Sequence, residues 1–124
     1  MKSHTDLEQS KKLAEILPLE SADMHYCLEN RDVSTGYEIG IVPFIQAKRF
    51  KGKCNIVDVQ PAWSLAALLS VLPEYNLQRT DWGTKTEYKI VVTTDEDNYA
   101  SKNYNNLVDA CVAMIEKLNE LKML

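Results

Sequence analysis

Hydrophobic and polar positions alternate along the chain with two periods, and the changes between them mark the elements. Leu7, Leu13, Ala14, Ile16 and Leu17 form a broken helical stripe. Thr5 and Glu8 precede it at capping-box spacing, and Pro18 closes it because the residue before a proline is pushed out of the α region. A helix over about residues 5–17 is predicted. After a short polar turn, residues 24–29 alternate, with Met24, Tyr26 and Leu28 on one face, as a half-buried strand does. Residues 30–36 have loop chemistry, and residues 37–42 resume the period of two until Pro43, which ends that strand or places it at an edge. A further strand over 54–59 is expected to stop before Pro61.

The next segment runs from Pro61 to Pro73. Ser64 is a natural N-cap, Trp63 before it is spaced to pack on Leu68, and Leu65, Leu68, Leu69 and Leu72 make a helical stripe. So short a helix is not stable alone and must be buried, most simply on a sheet. Residues 75–80 and 86–94 then read as a hairpin around Asp81, Trp82, Gly83, Thr84 and Lys85. In its second arm Tyr88, Ile90 and Val92 share one face and Glu87, Lys89, Val91 and Thr93 the other, and one side of the strand is expected to be wetter than the other. Residues 95–106 are polar and are read as a loop. The last helix starts near Asn105 and carries Leu107, Cys111, Met114, Ile115, Leu118 and Leu121 at helical spacing. Asp109 near its start and Lys117 and Lys122 near its end agree in sign with the helix dipole.

The pattern defines an α+β fold: a predominantly antiparallel sheet of about four or five short strands, with helices packed on one face. The length of 124 residues suits a single domain over 1–124, at roughly 100–200 residues per domain. Apolar residues at 45% and charged residues at 26% are globular proportions, so a packed core is expected. The net charge of −4 works against non-specific binding to nucleic acid or anionic membrane, without excluding one local basic patch. The longest apolar run, 63–72, is about ten residues where a bilayer requires roughly 20, so no membrane partner is expected. The first residues lead into a charged helix rather than an apolar signal core, and a cytoplasmic setting is expected.

Candidate chemistry is sparse. Cys27, Cys54 and Cys111 are odd in number and form no C-x-x-C unit, which reads as reduced structural thiols. His25 and Cys27, two apart on a strand, share a side that Cys54 could approach, but a zinc site lacks its fourth ligand. Residues 95–106 imitate a calcium loop yet place Ala100 where glycine belongs and Asn106 where the final glutamate belongs. Only His4 and His25 are available as imidazole bases, and no local motif pairs either with a nucleophile. Gly36, Gly40, Gly52 and Gly83 are never clustered, so no phosphate-cradling loop can be written. No catalytic residue, metal or cofactor is assigned.

Two surface features remain. Lys48, Arg49, Phe50, Lys51 and Lys53 combine cations for phosphate with a ring for base stacking, although a solvated loop has the same composition. Trp82, Tyr99 and Tyr104 are aromatic residues in polar surroundings, the type enriched in contact hot spots, or else they pack their loop onto the domain.

Three blocks, Ser21 to Met24, Pro61 to Pro73 and Asn106 to Ile115, resemble a family of small uncharacterised bacterial proteins typically encoded in prophages and integrated mobile elements. The resemblance spans about residues 18–122, and the Pro-Ala-Trp-Ser-Leu run is its most specific part. It implies a bacterial cytoplasmic setting and an accessory role in phage or mobile-element biology. It supplies no functional residues to carry over.

Three function classes stay open. The first is a non-enzymatic interaction protein whose partner is another protein or a second copy of itself. The second is a nucleic-acid-associated accessory factor using residues 48–53. The third is a small enzyme or ligand-binding domain, which requires Trp63, Tyr88 and His25 to line a concave pocket rather than fill the core.

Overall fold

A computed structural model of the chain describes residues 2–29, 37–40 and 56–124. Helix α1 (Leu7–Ile16) leads through a short 3-10 turn (Leu19–Ser21) into β1 (Met24–Glu29), β2 (Tyr37–Gly40) and β3 (Ile56–Ala62). Helix α2 (Leu65–Val71), strands β4 (Tyr75–Asp81), β5 (Thr86–Thr93) and β6 (Asn98–Ala100), and helix α3 (Leu107–Glu120) follow. The class is the expected α+β, with every strand pairing antiparallel. The described strands form two three-stranded sheets, ordered β2-β1-β3 and β4-β5-β6, where a single sheet was expected. Helix α1 lies against β3 and α3 lies against β5, while α3 also touches α1 and α2. No helix among the described residues is long and apolar enough to cross a membrane.

The core between these layers is built around Trp63, Leu13, Leu68, Ile90, Met114, Ile115 and Leu118, all fully buried. Ile90 and Val92, which the alternation puts on one face, are the inward positions of β5. In α3 the stripe is buried from Val108 to Leu118, but Leu121 is exposed because the helix has already capped there. Its end is a left-handed cap: Lys122 has φ 59°, its N–H donates to the Asn119 carbonyl, and the Met123 N–H donates to the Leu118 carbonyl at 2.9 Å.

Three local expectations are corrected. The box that starts α1 belongs to Asp6 and Gln9: the Asp6 carboxylate accepts the Gln9 N–H at 2.8 Å, and the Gln9 side chain accepts the Asp6 N–H at 3.1 Å. Thr5 is instead fully buried, bonded to Ser10 Oγ at 2.7 Å and accepting the Trp63 N–H at 3.1 Å. Pro61 lies inside β3, opposite His25, rather than beyond its end. That position is tolerated because β3 is an edge strand and needs ladder donors on one side only. His25, on the β1 face opposite Met24 and Tyr26, is buried. Finally, the polar stretch after β5 contains β6, with Tyr99 opposite Val92 and Ala100 opposite Val91.

Candidate interaction surface

The three sequence blocks converge in space. The Trp63 indole N–H donates to Ser21 Oγ at 2.9 Å, and Asp23 accepts the Ser64 N–H at 2.8 Å as well as the Ser64 hydroxyl. Ser64 Oγ accepts in turn from the Ala67 N–H, which caps α2 as its sequence predicted. At the third block Asp109 accepts from Lys2 Nζ, Gln9 and Asn106, each at 2.8 Å. Partial burial opposes ionisation of Asp109, but the bonds from Lys2, Asn106 and Gln9 outweigh it and hold its pKa below the ordinary carboxylate value. Asp6 is likewise pulled below its usual value, since the Gln9 N–H and Lys2 together overcome desolvation. Burial lowers the Lys2 pKa, yet Asp109 and Asp6 more than compensate and leave it raised. Each of these polar groups is engaged in holding elements together, so the blocks form a structural clamp.

Among the described residues the chemistry-bearing candidates do not assemble into a reactive site. Trp63 fills the core, His25 is buried, and Tyr88 is half-buried in β5. The concave pocket that the third function class requires is thus not formed by them. A hollow of about 460 Å³ between α1 and α3 is lined by Lys12, Glu15, Ile16, Glu116, Asn119 and Glu120. It is open and charged where ligand sites are largely apolar. Among the described residues no three His, Cys, Asp or Glu side chains stand close enough to hold a metal ion. The Cys111 thiol is pushed up to about 12 by burial, which removes it as a nucleophile.

Of the surface candidates, Lys48, Arg49, Phe50, Lys51 and Lys53 lie outside the described residues. Tyr99 and Tyr104 are half-buried and pack against the core, the loop-anchoring role for such residues. Tyr104 also pairs with Tyr88 through the main chain. Trp82 is the member of the trio that stands out, 61% exposed at the tip of the β4–β5 hairpin. Gly83 beside it has φ +85°, the left-handed conformation that lets this turn close.

The open edge of β4, a strand that the sequence did predict, is the surface that sequence reasoning missed. From Asn76 to Asp81 every residue is exposed, including Leu77 at 46%. The strand pairs with β5 in unbroken register over 75–81 and has no described neighbour on its other side. The Tyr88 N–H donates to the Tyr104 carbonyl at 2.7 Å, and the Tyr104 N–H returns to the Tyr88 carbonyl at 2.9 Å. Tyr88 therefore directs both main-chain groups away from β4, so its register partner Arg79 occupies a non-hydrogen-bonded position. The N–H and C=O of Arg79 consequently point off the open edge. By alternation those of Leu77 and Asp81 do the same. On this edge Arg79 Nη2 lies 3.5 Å from Asp81 Oδ2.

No protein-family model, curated protein sequence or solved structure matches the chain.

Proposed function

We propose that the chain is a non-enzymatic interaction protein that takes up an extended strand of a protein partner on the open edge of β4, with Trp82 as an apolar anchor. The observation that carries this reading is the outward row of main-chain groups at Leu77, Arg79 and Asp81 beside two exposed apolar side chains. Strand addition gains affinity from such a row, and neighbouring side chains supply selectivity. The resemblance of the three sequence blocks makes an accessory role in bacterial phage or mobile-element biology, in the cytoplasm, the setting of this proposal.

The test is photo-crosslinking in cells producing the chain, with a photoreactive amino acid at Leu77 and, as control, at Glu8 on α1. A protein adduct specific to position 77, lost in Arg79→Pro because the outward N–H is removed, is the expected result. Crosslinking to nucleic acid at position 77, equal protein labelling from Glu8, or no adduct would overturn the proposal.

A further inference from the structure

Four strands lie at the edges of the two described sheets, and two of them are poor templates for a further strand. Strand β6 has three residues, and β3 carries Pro61 within its length. Very short strands and proline are two ways in which proteins protect an open edge. Strand β4 has seven residues, no proline and no bulge against β5. Its side chains also make a self-complementary series. Gln78, Arg79, Thr80, Asp81 and Trp82 read outward from Thr80 as one cation before it and one anion after it.

Building on the proposed strand-addition site, we infer that the partner on β4 is a second copy of this chain, paired antiparallel about a two-fold axis at Thr80. A two-fold contact uses the same patch on both subunits, so the patch must complement itself. In this register Thr80 faces its counterpart, and each Arg79 faces the partner's Asp81. Threonine pairs and opposite charges are both favourable across strands. The outward N–H and C=O of Arg79 and Asp81 fall at hydrogen-bonded positions of the new pairing. Because Arg79 and Asp81 already lie 3.5 Å apart within one chain, the axis gathers four charges that alternate in sign. Trp82 comes opposite Gln78 of the partner subunit and loses part of its exposure. Moving the axis one residue back, to Arg79, would oppose two arginines, a like-charge pair that disfavours that register. The product is a continuous six-stranded antiparallel sheet, β6-β5-β4 joined to its own two-fold copy. The contact is short, which places it among weak, concentration-dependent interfaces.

The test is sedimentation equilibrium of the purified full chain from roughly 5 µM to roughly 1 mM, the range suited to such an interface. The weight-average mass is expected to rise from one chain towards two. Arg79→Asp sets carboxylates against carboxylates across the axis, and Asp81→Arg sets cations against cations, so each variant alone stays monomeric. An equimolar mixture of the two restores opposite-charge pairing and dimerises, as does the double swap within one chain. Both positions are exposed, and circular dichroism checks that each variant keeps the fold. A wild-type chain that stays monomeric throughout, single variants that dimerise like wild type, or a mixture that does not associate would each overturn the inference. A monomeric wild type that still crosslinks another protein through position 77 would remove the dimer and leave the strand-addition reading standing. A chain that neither dimerises nor crosslinks loses both.

Discussion

Asp23 holds Ser64 by two bonds at once, accepting its backbone N–H at 2.8 Å and its hydroxyl. One carboxylate thus fixes the start of α2 to the residue that leads into β1. The same hydroxyl accepts from Ala67, so the cap of α2 and its attachment share an atom. Ser64→Ala is expected to destabilise the protein by about 1–2 kcal/mol, the usual effect of losing an N-cap. Asp23→Ala leaves the Ser64 N–H without its acceptor and is expected to cost about 1–3 kcal/mol. Urea unfolding of both variants and the double variant checks this, with non-additive losses expected because the groups touch.

The pH dependence follows from Lys2, Asp6 and Asp109. The two carboxylates have folded-state pKa values below 3.8, so their stabilisation is complete above that value and is lost as pH falls through the lower, folded-state values. Lys2 lies above 10.5, so its contribution is complete below that value and is lost as pH rises past the folded-state value. Urea midpoints measured against pH should therefore fall at the acid end and again above pH 10.5. Lys2→Met should reduce the alkaline fall while lowering stability near neutrality by no more than about 1 kcal/mol.

Lys122 adopts a left-handed conformation that favours glycine. Lys122→Gly should therefore stabilise the chain by about 0.5–1 kcal/mol, since the cap bonds to Asn119 and Leu118 involve only main-chain groups. A rise in thermal midpoint checks this. A fall would mean that the lysine side chain contributes more than its backbone strain costs.

Cys111 is fully buried with its thiol pushed up to about 12. Alkylation by iodoacetamide at pH 8 should leave Cys111 unmodified in the folded chain and modify it after urea unfolding. Peptide mapping by mass spectrometry reads the difference directly. Rapid labelling of Cys111 in the folded state would contradict its place in the core.

Features governed by neighbours in sequence were legible before the fold was known. Ser64 with its Trp63–Leu68 flank, the hairpin around Gly83 and the α3 stripe are all local patterns, and each element forms where its pattern lies. What sequence could not decide was set by partners far along the chain. Thr5 and Asp6 are both able to cap, each with a suitable residue three positions on. The choice falls to Asp6 because the Thr5 hydroxyl is taken by the Trp63 N–H, 58 positions away. Strand β6 is too short and polar to signal itself and exists through its pairing with β5. The open edge of β4 was equally hidden, since the order of strands in a sheet is a property of the whole chain. Trp82 was identifiable from its turn, whereas Tyr99 and Tyr104 turned inward to the core.

The bonds that tie residues 2–5 to residues 63–65 and 109 also bear on how the protein is made. A ribosome delivers α1 well before the acceptor on Asp109, which lies 100 residues beyond Gln9. Until then Lys2 and Gln9 have no partner there, and a helix of ten residues is marginal by itself. Among the described elements α1 is consequently translated before the others and is among the last to be secured. A nascent chain stalled before residue 105 should remain open to proteolysis within α1, with protection arriving as α3 clears the exit tunnel.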